Sequence, residues 1–121
     1  MRPIKFRVWD KQSEQMFNVY SIEFRKNGLY VNLDTPSKAN GLRESWLFGD
    51  RFELMQFTGL HDKNGKEIYE GDILNFDYPM EVIWAMGSWA VKAEKGDSLL
   101  YGYTNEGEVI GNIYENPELL K

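Results

Sequence analysis

At 121 residues the chain fits one domain, or one domain with a small appended lobe, and can bury roughly two-thirds of its unfolded surface without a disulfide or metal. It has no cysteine and one histidine, His61, which excludes disulfide scaffolds and thiolate metal sites and leaves too few nitrogen ligands for a structural zinc site. The formal net charge of −5, with lysines and arginines dispersed, argues against non-specific nucleic-acid binding, because phosphate backbones attract basic surfaces.

The chain opens with alternation. Ile4, Phe6 and Val8 interleave with Lys5, Arg7 and Trp9, the period-2 pattern of a half-buried strand. Charges among the first apolar positions rule out a signal-peptide core, and no apolar run approaches the roughly 20 residues of a membrane span; a soluble, cytoplasmic protein with no membrane partner is expected. Asp10 to Gln15 is polar and turn-like. Tyr20, Ile22 and Phe24 alternate with Ser21, Glu23 and Arg25. Lys26-Asn27-Gly28 then leads to Leu29, Val31 and Leu33. Asn-Gly between two alternating runs is a hairpin signal, since both residues tolerate positive φ.

Asp34 to Arg43, with Pro36, Ser37, Asn40 and Gly41, reads as a mobile loop. It separates an N-terminal strand and hairpin region, residues 1–45, from a second region, residues 52–121, within a single domain spanning 1–121. Trp46-Leu47-Phe48 is a short apolar cluster before Gly49-Asp50. Leu54 to Phe57 reads as a strand running into Thr58-Gly59, Asn64-Gly65 as a turn, and Tyr69 to Asp72 as a bend into Ile73, Leu74 and Phe76. Glu81 to Ala85, with Val82 and Trp84 on one face, meets Met86-Gly87 and then Ser88 to Lys92, a further hairpin. Lys95-Gly96-Asp97 and Asn105-Glu106-Gly107 bracket a strand carrying Leu99, Tyr101 and Tyr103. Val109, Gly111 and Ile113 alternate in the last strand. Asn116 and Pro117 mark the cap and first position of one helical turn. Many short strands with turn signals about every 8 to 12 residues indicate a mainly β protein with little helix. Residues 70 onward read as one small barrel or roll, whose closure removes exposed edges.

No catalytic constellation stands out. His61 with Asp62, Glu67, Glu70 and Asp72 is the densest acid–base cluster, which a hydrolytic dyad or a carboxylate metal site would need. Yet adjacent side chains of an extended strand point apart, and no serine lies in a nucleophile elbow. Gly59 and Gly65-Lys66 do not make a phosphate loop: five residues part the glycines and Glu67 replaces the required Ser or Thr. A polar turn between strands is the simpler reading, so no enzyme, cofactor or metal is expected.

Aromatic residues make up 15% of the chain, enough to ask which are core and which are surface. Trp84, Trp89, Tyr101 and Tyr103 form the candidate interaction surface. With Arg51, Lys92 and Lys95 nearby, the same aromatics would serve as a stacking platform for single-stranded nucleic acid; core packing of at least two of the four is the simpler alternative. Lys5, Arg7, Arg25 and Lys26 make a small basic face on the N-terminal hairpin, or else solvated positions that keep edges from pairing.

Three stretches carry a family resemblance. Pro3-Ile4-Lys5-Phe6-Arg7-Val8-Trp9-Asp10, the segment from Leu54 to Leu74 with its core His61-Asp62-Lys63-Asn64-Gly65-Lys66-Glu67-Ile68-Tyr69-Glu70-Gly71-Asp72, and Val109 to Leu120 are similar to the opening, central and closing motifs of the YopX family. The resemblance implies a phage or prophage gene and a mainly β fold with an SH3-type barrel or roll in the C-terminal half. It is compatible with self-assembly, and it implies no reaction. A protein partner, or a second copy, is the expected ligand, with nucleic acid the alternative. Within the central motif, Gly59, Gly65 and Gly71 suit turns needing positive φ, Asn64 supplies turn chemistry, and Asp62 and Asp72 can accept backbone N–H groups. That is a structural reading of the motif.

Overall fold

The computed structural model describes residues 3–35, 45–93 and 96–121. The protein is mostly β, and its helical segments among the described residues are short 3₁₀ turns. The chain forms two compact units, Lys5–Met55 and Gln56–Lys121 with Pro3 and Ile4, which part within one strand, between Met55 and Gln56. No sequence break marks that point, because β5 (Phe52–His61) starts in the first unit and ends in the second.

In the N-terminal unit, β1 (Phe6–Asp10), β2 (Gln15–Arg25), β3 (Gly28–Leu33) and β4 (Trp46–Phe48) are arranged in the order β4-β3-β2-β1, followed by the start of β5. Inward residues of these strands, Val8, Val31, Leu33 and Leu47, form the core, with Phe17, Val19, Leu29, Phe52 and Leu54 around it. The expected hairpin is present with its turn displaced by one residue. Arg25 pairs with Gly28, so Lys26 and Asn27 are the loop, and only Gly28 has positive φ. Two other expectations change. Ile4 precedes β1 and is exposed, and Phe24 and Tyr20 are exposed on β2, where a bulge between Val19 and Ser21 shifts the alternation. The loop expected over 34–43 lies, apart from Asp34 and Thr35, outside the described residues.

Asp10, read from sequence as a turn residue, is buried in this unit. Its Oδ1 and Oδ2 accept the Nε and Nη2 hydrogens of Arg51 at 2.9 and 3.1 Å, and they also accept the Ser13 hydroxyl at 2.6 Å and the Gln12 N–H at 3.1 Å. A two-point guanidinium clamp of this kind is strong and directional.

In the C-terminal unit, the end of β5 pairs with β6 (Glu67–Tyr69). Strands β7 (Asp72–Phe76), β8 (Tyr78–Ala85), β9 (Ser88–Ala93), β10 (Gly96–Leu99) and β11 (Glu108–Asn112) form an antiparallel sheet in the order β10-β9-β8-β7-β11. Four strands meander, a 3₁₀ turn (Leu100–Tyr103) follows, and the fifth strand returns beside the first. That connectivity is the expected SH3 type. Ile68, Leu74, Met80, Val82, Val91, Leu100 and Val109 form its core, with Leu60, Phe76, Trp89, Ala93 and Tyr103 against them.

The strand expected through Leu99, Tyr101 and Tyr103 ends at Leu99. The following 3₁₀ turn has three residues per turn, so Leu100 and Tyr103 share the core side while Leu99 and Tyr101 face out. At the C-terminus a second 3₁₀ turn (Pro117–Leu120) has Pro117 at its start as expected, but Asn116 makes no side-chain cap. Its Oδ1 accepts the Asn112 N–H at 3.2 Å instead.

Candidate functional site

The central motif is a backbone scaffold. Thr58 donates its hydroxyl to the Ile68 carbonyl at 2.7 Å and accepts the Leu60 N–H at 3.1 Å, bracing the bulge at Gly59, whose φ is +85°. Asp62 is buried: Oδ1 accepts the N–H groups of Asn64 and Lys66 at 2.8 and 2.9 Å, and Oδ2 accepts that of Val109 at 2.9 Å. Between Asp62 and Lys66 the chain makes a tight turn, closed by Gly65 N–H to Asp62 O at 3.0 Å and Asp62 N–H to Lys66 O at 2.8 Å, with Gly65 at φ +81°. Burial opposes ionisation of Asp62, but the three backbone donors and nearby Lys66 outweigh it and lower its pKa.

Asp72 accepts the Tyr69 N–H at 2.7 Å. Gly71 donates to Val82 O and accepts from Ile113 N–H, both at 2.9 Å, at φ +86°. The structure therefore puts Gly59, Asp62, Asn64, Gly65 and Gly71 in turns and bulges and Asp72 at the start of β7; Asp62 and Asp72 accept main-chain N–H groups, whereas the Asn64 side chain donates to Glu108 at 3.2 Å.

The acid–base cluster does not converge. His61 is exposed, its ring edge-on to Phe57 at 5.6 Å. Glu67 accepts the Tyr69 hydroxyl at 3.3 Å, and Glu70 accepts the Gln56 N–H at 3.4 Å. Among the described residues no three His, Asp or Glu side chains are grouped to hold a metal ion.

The aromatic candidates separate. Trp84 and Trp89 face each other across the β8–β9 hairpin, ring centroids 4.8 Å apart and planes at 75°. They continue the core face of that hairpin, since Val82 and Val91 pair one step inward of them. Trp89 packs against the core, whereas Trp84 stays 55% exposed. With Gln56 and Glu70 they line a cavity of about 320 Å³. Tyr103 turns inward, edge-on to Phe76 at 5.4 Å, and Tyr101 is 78% exposed on the 3₁₀ turn. The four do not form one platform.

Of the basic candidates, Lys92 is the one in the described part of the C-terminal unit. Arg51 is bound to Asp10 in the other unit, Lys92 sits opposite Glu81 and Asp97 across the sheet, and Lys95 is outside the described residues. Of the residues lining the tryptophan cavity, Glu70 is the charged one.

A second aromatic face lies on the N-terminal unit. Tyr30 stacks on Phe48 at 5.5 Å, and Arg25 lies over the Tyr30 ring at 4.0 Å while donating Nη2 to Glu23 at 2.8 Å. The sequence signal for it was the cluster Trp46-Leu47-Phe48: alternation buries Leu47 and turns Trp46 and Phe48 outward.

Comparison with known proteins agrees with this architecture. The family described as YopX protein matches residues 5–121. Protein EF1440 from Enterococcus faecalis is similar in structure, with a TM-score of 0.77 and 29% identity over 100% of both chains. Protein yopX from Bacillus subtilis superposes with a TM-score of 0.67 and 26% identity, again over 100% of both chains. No curated protein matches the chain. No helix among the described residues is long and apolar enough to cross a membrane.

Proposed function

The chain belongs to the YopX family, and from that premise we propose that it is a phage- or prophage-encoded accessory protein of the bacterial cytoplasm, a non-enzymatic β module that binds a protein partner or a second copy of itself. The observation that carries this reading is the Trp84–Trp89 pair. Burying an indole is among the larger gains a side chain offers, and tryptophan dominates protein interfaces. Trp84 is left 55% exposed at the end of the core face of a hairpin, where a partner would extend the core.

The nucleic-acid alternative asks for parallel aromatic faces beside a basic groove. Perpendicular indoles beside Glu70 supply neither. The enzyme alternative asks for a pocket holding His61 and carboxylates, and His61 is exposed beside Phe57.

The test is recovery of tagged protein from phage-induced host lysate, with and without nuclease, beside the Trp84→Ala variant. A protein partner that survives nuclease and is lost with Trp84→Ala supports the module. Recovery of nucleic acid, with protein partners lost on nuclease treatment, overturns it.

A further inference from the structure

We propose that the groove between β8 and the C-terminal 3₁₀ turn binds a short apolar peptide by both of its free ends. The groove holds about 850 Å³, a volume within the range of small-molecule sites. It lies in the C-terminal unit and shares no lining residue with the tryptophan pair.

Its walls follow from the alternation of β8. Met80 and Val82 belong to the core, so Pro79 and Glu81 lie on the opposite face of the strand. The turn Pro117–Leu120 contacts that strand and brings Leu119 and Leu120 to the groove. Tyr78 is 49% exposed there and Leu120 39%, so apolar area is within reach of a ligand.

Charge decides the class of ligand. Glu81 and Lys92 stand directly opposite in the β8–β9 register, and both line the groove. The Cβ atoms of such a pair are about 4.5–5.5 Å apart. Neither side chain has a hydrogen-bond or ion-pair partner among the described residues. Asp97, the other neighbour of Lys92 across the sheet, is not among the lining residues, whereas Lys121 adds a second cation beside the turn. The groove therefore offers a carboxylate and an ammonium side by side, the complement of a zwitterion. Two extended residues span about 7 Å, a length the flexible Glu and Lys side chains can bracket. Glu81 accepts the peptide's α-ammonium hydrogens, Lys92 and Lys121 donate to its carboxylate, and its apolar side chains cover Pro79, Leu119 and Leu120. A fatty acid would instead lay its chain against Glu81, and a simple amine would leave both lysines unused.

The experiment titrates the full-length ¹⁵N-labelled protein with Leu-Leu, N-acetyl-Leu-Leu, Leu-Leu amide and Gly-Gly. Leu-Leu is expected to shift the backbone amide signals of Glu81, Ala93 and Leu120 saturably, while Val31 of the N-terminal unit stays still. Capping either end should weaken binding about threefold to fivefold, the scale of a charge pair near the surface. Gly-Gly, which keeps both charges and loses the apolar contact, should bind about tenfold more weakly. Glu81→Gln should cancel the penalty of the acetyl cap and keep that of the amide; Lys92→Gln combined with Lys121→Gln should do the converse, as direct contacts require. No saturable shift, equal binding of capped and free peptides, Gly-Gly equal to Leu-Leu, or cap penalties untouched by these variants overturns the proposal. Trp84→Ala should leave the titration unchanged, which separates this groove from the partner surface; Leu-Leu binding lost with Trp84→Ala overturns the groove as the site.

Discussion

Replacing Asp62 tests whether the central motif is a backbone scaffold. The side chain receives three main-chain N–H groups, from Asn64, Lys66 and Val109. The first two lie in an exposed turn, where water can replace a lost acceptor. Val109 is buried and 47 residues away in sequence; its N–H has no such substitute. In Asp62→Asn the amide oxygen can keep the turn contacts, but an NH₂ then faces the Val109 N–H. Losing one charge-assisted bond and leaving a buried donor against another donor costs about 2–3 kcal/mol. Asp62→Ala removes all three acceptors but lets the turn rehydrate, so it should cost about 3 kcal/mol, only a little more.

Urea unfolding, followed at the Trp84 and Trp89 signals of the C-terminal unit, reads this loss as a midpoint lowered by roughly 1–2 M. Amide exchange at Val109 should quicken in both variants. The pH dependence adds a sign. Asp62 has a pKa lowered from 3.8 in the fold, so its stabilisation is present above that value and lost as pH falls below it. The gap between wild type and Asp62→Asn should therefore narrow under acid. Two results refute the reasoning: both variants within about 0.5 kcal/mol of wild type, a surface-level effect, or a large loss with Val109 exchange unchanged.

Three further expectations rest on single geometries. Asp10→Asn should destabilise the N-terminal unit by about 2 kcal/mol at neutral pH, a figure kept modest because Arg51 is half exposed. The Arg51 guanidinium, aided by Ser13 and the Gln12 N–H and opposed by burial, holds the Asp10 carboxyl well below its ordinary 3.8, so this loss too should fade as pH drops beneath that value, read from acid titrations of both proteins. Met86 occupies the first position of the β8–β9 turn at φ +51°, followed by Gly87 at +79°; Met86→Asn should raise stability by about 0.5–1 kcal/mol and the melting temperature by a few degrees, because Asn tolerates this left-handed region. A Cβ on Gly107 would stand 2.6 Å from the Tyr103 carbonyl oxygen and 3.0 Å from Leu74, whereas one on Gly102 meets nothing within 4 Å. Gly107→Ala should cost about 2–3 kcal/mol by overpacking and Gly102→Ala should be neutral to slightly stabilising, a contrast measured by paired thermal melts.

Much of the fold is legible because the side-chain period of a strand is two and turns have their own residues. The β8–β9 hairpin follows from Val82, Trp84, Trp89 and Val91 around Met86-Gly87, and β2–β3 from the runs flanking Lys26 to Gly28. What alternation misses is a change of period. Leu99, Tyr101 and Tyr103 alternate as a strand would, yet a 3₁₀ turn begins at Leu100 and makes that residue the buried one. Bulges do the same over one residue, as at Val19–Ser21 and Val109–Gly111. Pairings distant in sequence leave no local mark: Asp10 and Arg51 are 41 residues apart, and nothing around Asp10 distinguishes it from an ordinary turn aspartate.

The candidate site divides along the same line. The turn roles of Gly65, Gly71, Asp62 and Asp72 follow from residue type, since glycine admits positive φ and short acids accept nearby N–H groups. The fate of the aromatics does not, because exposure depends on where the core ends. Trp84 and Val82 share a face and one is buried; only the position of the hairpin tip beyond the last core layer distinguishes them. Glu70 reaches the same cavity from a bend at Gly71, across 14 residues from Trp84. A search for catalytic chemistry groups Glu70 with His61 and Asp72 because they are close in sequence. The fold places it instead beside two indoles, with its carboxylate accepting the Gln56 N–H, because the strand pairing rather than the spacing in sequence decides its neighbours.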